Sequence, residues 1–148
     1  MLRYTLNLLQ NDGGNMKHLF AALILFVFCG YLFAQEMSGL TVAEQTICTA
    51  IEERVPSGED SSFASDVGQL FCFTKITGAE DTTSVSHVWY LNDEEKAKVE
   101  LSIKGKSWRT WSSKKIDPIW VGDWKVDVVS ANGDILSTKT FTITKPAE

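Results

Sequence analysis

The stretch Lys96–Lys104, KAKVELSIK, decides the fold. In an extended chain Ala97, Val99, Leu101 and Ile103 point one way, and Lys96, Lys98, Glu100, Ser102 and Lys104 the other. Side chains alternate across a strand, so this segment has one face in a core and one in water. The same period recurs on both sides of it. In Gly68–Thr77, Leu70, Cys72, Thr74 and Ile76 share one side, and Phe71, Phe73 and Lys75 the other. Asp123–Ser130 turns Trp124, Val126 and Val128 inward. Asn132-Gly133 is a strong hairpin signal, and Asp134–Thr144 returns with Phe141 and Ile143 facing the core. Val42–Ile51 is strand-like, and Ser84–Leu91 is apolar on both sides, as a strand inside a sheet is. Asn92–Glu95 reads as a polar turn, and Gly105-Lys106 as a two-residue turn into Ser107–Lys115. Pro118 makes 117–121 irregular. No stretch beyond residue 35 carries a helical period. The expected fold is all-β: one small antiparallel sandwich of about seven strands.

A different kind of segment precedes these strands. Met16-Lys17-His18 leads into an almost unbroken apolar run, Leu19–Phe33, ending at the small residue Ala34. A charged start, an apolar middle and a small residue at the end describe a secretory signal. The run is short for a membrane-spanning helix, which needs about 20 apolar residues. The expected organisation is therefore a signal-peptide helix over 16–34 and one domain over 35–148. It places the domain in the periplasm or outside the cell, with no membrane span after cleavage. The alternative is an anchor formed by an uncleaved N-terminal helix. Residues 1–15 fit neither part, and Met16 reads as the true start, with 1–15 a mis-assigned extension. Cys29 would leave with the signal.

Charge is distributed unevenly. The chain has a formal net charge of −5. Residues 36–95 hold 12 acidic and 2 basic side chains, whereas 96–148 hold 10 basic and 6 acidic. Such a gradient is compatible with two differently charged faces, or simply with solvated strands. All 5 tryptophans lie in the second half.

Two cysteines remain past the leader, Cys48 and Cys72. An exported protein lives where disulfides persist. If 41–51 and 67–77 pair as antiparallel strands about a centre near residue 60, Cys48 faces Cys72. A disulfide between them would stabilise the domain by about 3 kcal/mol. Two cysteines without a nearby histidine make a poor zinc site, so no metal and no cofactor is expected.

Three groups of residues could carry chemistry. The first is 96–115, with 7 basic residues and one acidic, Glu100. Across a turn at Gly105-Lys106, Ser102 would face Arg109 and Glu100 would face Trp111. The outer face would then gather Lys96, Lys98, Lys104, Arg109 and Trp111. An aromatic among cations can stack on a flat group while the cations hold an anion. The plainer reading is a sheet edge protected by lysines. The second group is His87 with Trp89 and Tyr90. A catalytic histidine needs a nucleophile or acid beside it, and Ser86 points to the opposite face of the same strand. The third is the acidic run Glu52, Glu53, Glu59, Asp60 and Asp66. It lacks the spacing of a calcium loop.

The mature chain resembles the bacterial family catalogued as domain of unknown function 2914. The likeness rests on Ile47-Cys48-Thr49, Arg54-Val55-Pro56, Gly68–Thr74, His87-Val88-Trp89-Tyr90, Trp108–Lys114 and Gly122–Val126. It implies a compact immunoglobulin-like β domain whose shared framework includes His87, Trp89, Arg109 and Trp124. It implies no activity. The leading functional reading is a non-enzymatic binding or adaptor module of the envelope. Its binding residues would be Arg109, Trp111, Lys98 and Lys104, with His87 and Trp89. Its partner would be an envelope protein or an anionic polysaccharide rather than nucleic acid. The alternatives are a periplasmic hydrolase with His87 or carboxylates in a cleft, and a structural domain with no ligand.

Overall fold

The computed structural model describes residues 39–148, and the expected leader over 16–34 and the extension over 1–15 lie outside them. The described residues form ten strands and no helix. In chain order these are β1 (Thr41–Cys48), β2 (Ala50–Glu52), β3 (Val55–Ser57), β4 (Ser62–Ala64) and β5 (Gln69–Thr77). They continue with β6 (Thr83–Leu91), β7 (Glu94–Ile103), β8 (Ser107–Lys115), β9 (Gly122–Ser130) and β10 (Ile135–Thr144). The all-β expectation holds, and the long strands fall where the alternation put them. The three short strands β2, β3 and β4 raise the count above seven.

Two sheets face each other. One has the order β1-β5-β8 and the other β4-β10-β9-β6-β7, while β2 and β3 form a separate hairpin. All pairs are antiparallel except β4 with β10. The core lies between the layers. Ile47, Leu70 and Cys72 from one sheet meet Trp89, Trp124, Val126, Phe141 and Ile143 from the other. Trp124 stacks on Phe141 with centroids 5.9 Å apart, and Trp89 meets Phe141 edge-on at 6.3 Å. Burial of these large rings supplies much of the driving force for closing the two layers. A second cluster, Ile76, Val85, Ile103 and Val128, fills the other end.

Two expectations are corrected. The first is the hairpin at Gly105-Lys106. β7 pairs with β6, and β8 pairs with β5, so the chain crosses between layers at this turn. Ser102 does not ladder with Arg109, nor Glu100 with Trp111. The physical reason is that β7 and β8 each have an inward face, and the core takes them from opposite sides.

The second is the Cys48–Cys72 disulfide. Both cysteines are free and buried. β1 does pair with β5, but the ladder sets Ile47 opposite Cys72 and Cys48 opposite Phe71. A slip of one residue sends a side chain to the other face of a sheet. Continued without its bulge, the ladder of Thr41 and Val42 would set Cys48 opposite Leu70, on the same face as Cys72; the extra residue Ala43, between Val42 and Glu44, turns Cys48 to the other face. Val42 packs inward before the bulge, and Ile47 lies in the core after it. Cys72 therefore points into the core and Cys48 away from it, beneath the β2–β3 hairpin. Burial pushes the Cys72 thiol up to about 12 and also raises that of Cys48.

A basic and aromatic seam as the candidate binding site

The β2–β3 hairpin folds over the outer face of the three-stranded sheet. Its turn is Glu53-Arg54, since Glu52 pairs with Val55. Both turn residues have positive φ, 48° and 64°. A two-residue hairpin turn of this kind favours glycine and asparagine. Glutamate and arginine there store roughly 1–3 kcal/mol each of backbone strain. The arginine is thereby aimed at β8. Its guanidinium carbon lies 6.0 Å from the Trp108 ring centroid and 5.8 Å from that of Trp111. Its Nη2 donates to the Arg109 carbonyl at 3.1 Å.

Around this arginine lies an open groove of about 260 Å³, lined by Arg54, Ser102, Lys104, Trp108, Arg109, Thr110 and Trp111. It runs along the seam where β7, the edge of one sheet, meets β8, the edge of the other. Trp111 stands beside the buried Phe73, and Arg109 beside Lys75, on the outer face of the β5–β8 ladder. Three cations thus line one groove without a carboxylate among the lining residues. Among the described residues the ion pairs are Lys96–Glu94 at 3.1 Å and Lys125–Asp93 at 3.8 Å, and neither involves Arg54, Lys104 or Arg109.

Of the residues expected from sequence, Arg109, Trp111 and Lys104 come together here, although across a crossover rather than a hairpin. Lys98 is exposed on β7 but outside the groove. Lys96 lies further along β7, with its ammonium 5.4 Å from the Trp120 ring. His87 and Trp89 belong to the core, at 0 % exposure each, and cannot touch a ligand on this surface. Arg54 was not among the expected binding residues.

The buried histidine belongs to a closed polar chain. Trp89 Nε1–H donates to Ser112 Oγ at 3.0 Å, and His87 Nδ1 lies 2.8 Å from the same oxygen. His87 Nε2 lies 3.2 Å from Thr74 Oγ1, and that hydroxyl reaches the Thr110 carbonyl at 3.3 Å. One arrangement of protons uses every donor. Trp89 donates to Ser112, Ser112 to His87 Nδ1, His87 Nε2–H to Thr74, and Thr74 to the Thr110 carbonyl. The histidine is then neutral and protonated on Nε2, with no free lone pair for an outside proton. Burial lowers its pKa from 6.5 to about 4. The chain ties β6 to β8 across the two layers. It offers no acid–base group to a substrate.

A larger cleft of about 540 Å³ opens at one end of the five-stranded sheet, lined in part by Asn92, Asp93, Asp123, Lys125 and Thr140. Its charges are mixed, and Lys125 already pairs with Asp93. The acidic run of 52–66 is spread over separate positions, and Asp60 Oδ1 accepts from the Ser61 and Ser62 amides. No group of three or more His, Cys, Asp or Glu placed to hold a metal occurs among the described residues.

The architecture thus defines a two-layer β domain with a closed polar link in its core and a cationic seam at its edge. Residues 82–143 match the family described as protein of unknown function DUF2914, the family that the sequence resembles. The matched stretch runs through β6, β7, β8 and β9 and nearly all of β10. It contains Lys104, Trp108, Arg109 and Trp111, whereas Arg54 lies before it. No curated protein matches the chain.

Proposed function

We propose that this protein is a non-enzymatic binding module of the bacterial envelope that captures an anionic partner through the seam between β7 and β8. The observation that carries the reading is the gathering of Arg54, Lys104 and Arg109 around Trp108 and Trp111 with no carboxylate lining the groove. Three like charges at one site, in a chain of net charge −5, raise the local potential and attract an acid. Arginines beside indole rings hold carboxylate or phosphate in a fixed orientation. The apolar run over 19–33 supports export, with the domain working in the periplasm or outside the cell. The strand order supports an immunoglobulin-like classification. Its first long strand lies on one sheet, and the short β4 lies parallel to the last strand on the other.

The test is binding of polyglutamate and of oligogalacturonate to the wild type and to an Arg109→Glu, Lys104→Glu double variant. Both changes are at exposed positions, so the melting temperature should stay close to wild type. Wild type should bind at least one of the two polyanions, and the variant should lose that binding. Equal binding by the variant, or none by the wild type, would overturn the proposal.

A further inference from the structure

β8 is an edge strand with a specific row of open backbone groups. It pairs with β5 alone. In an extended strand the N–H and C=O of one residue point to the same side, and the side alternates along the chain. The Thr110 carbonyl faces β5, where Thr74 reaches it, and the Arg109 carbonyl faces outward, where Arg54 reaches it. Arg109, Trp111 and Ser113 therefore all turn their backbone groups away from the sheet. Among the described residues, the Arg109 carbonyl is the one member of this row with a hydrogen-bond partner.

We propose that an extended acidic polypeptide segment docks along this edge as an added strand of the β1-β5-β8 sheet. This rests on the anion-binding reading of the same seam. Two features favour a polypeptide over a polysaccharide. The open groups recur every second residue, roughly 6.8 Å apart, which is the spacing of another strand's amides. The cations lie beside that row: Arg109 is part of it, Arg54 caps its first carbonyl, and Lys104 lines the same groove. Carboxylates at alternate positions of the incoming strand would meet them. Arg54 holds the place that the partner's first N–H would take. When the partner arrives, the guanidinium exchanges the Arg109 carbonyl for a carboxylate, moving about its strained turn.

The probe is an acetylated, amidated peptide, Glu-Val-Glu-Val-Glu-Val-Glu, compared with its form N-methylated at alternate residues and with oligogalacturonate. The domain is used as wild type and as Ser113→Pro, which removes one outward N–H from an edge strand, where proline is tolerated. The peptide should slow amide exchange at Trp111 and Ser113. N-methylation and Ser113→Pro should each weaken peptide binding by about tenfold or more, while Ser113→Pro leaves oligogalacturonate binding unchanged. If peptide binding depends on Arg109 but ignores both changes, anion capture stands and strand addition falls. Strand addition also falls if oligogalacturonate binds and the peptide does not. If neither probe binds, both proposals fall. Should Ser113→Pro fail to fold, the N-methylated peptide alone decides.

Discussion

Acidification is expected to loosen this domain through a single buried ring. His87 has no solvent contact, and its bonds to Ser112 and Thr74 are fully used in the neutral state. Its pKa is 6.5 when free and about 4 in the fold. Between those values the unfolded chain binds more protons than the folded one. Stability therefore falls as pH drops through that interval, and levels off below it. Integration gives a loss of roughly 2 kcal/mol between pH 7 and pH 5, and about 3 kcal/mol by pH 4. For a domain with about 5–15 kcal/mol in total, that is a large share. The assay is urea denaturation at a series of pH values for wild type and His87→Asn, the difference isolating the ring from the carboxylates. Proton–nitrogen NMR of the wild type reads the ring directly, and the proton should sit on Nε2 with no titration above pH 5. A ring that titrates near 6.5 would refute the reasoning, as would a wild-type stability flat from pH 7 to pH 5 relative to the variant.

Other consequences follow from the same packing. Ser112→Ala strands the Trp89 N–H and His87 Nδ1 and should cost about 2–4 kcal/mol in denaturant titrations. Ser113→Ala, one residue along on the exposed face, should change stability by less than about 0.5 kcal/mol. Cys48 and Cys72 should resist thiol reagents in the native domain, and both should be alkylated in denaturant without prior reduction. Recovery of a Cys48–Cys72 cross-linked peptide would contradict the register. Asn92-Asp93 joins β6 to β7 with φ of 47° and 67°. Asp93→Gly should relieve strain and raise stability by about 0.5–1 kcal/mol, the exposed pair with Lys125 being a minor loss.

Most long strands were legible through period-two alternation, which is cleanest in β7 with its one wet face, whereas β6 showed instead as a run apolar on both sides. β7 and β9 were readable almost residue by residue. Register was not. One extra residue at Ala43 reverses the faces of everything after it, and nothing in Thr41–Cys48 marks that residue as a bulge. The crossover after β7 was missed for a related reason. Gly105-Lys106 suits a hairpin locally, and only packing against both layers decides between a hairpin and a crossover. The β2–β3 turn was hidden because Glu53-Arg54 contradicts the preference of such a turn for glycine and asparagine. Arg54 was therefore invisible in the sequence as a neighbour of Arg109 and Trp111, which the alternation does place together on one face of β8. In sequence no nucleophile or acid stands beside His87, since Ser86 faces the other way, and nothing there marks the ring as fully buried. Ser112, its actual partner, is 25 residues away.

The most direct measurement is backbone and indole chemical-shift mapping of the labelled domain during titration with polyglutamate. Shifts should concentrate on Arg54, Lys104 and 108–111, including the indole N–H of Trp108 and Trp111. The Trp89 indole and the cleft around Asp93, Asp123 and Lys125 should stay still. Shifts centred on that cleft, or no shifts at saturation with either polyglutamate or oligogalacturonate, would contradict the assignment of the β7–β8 seam.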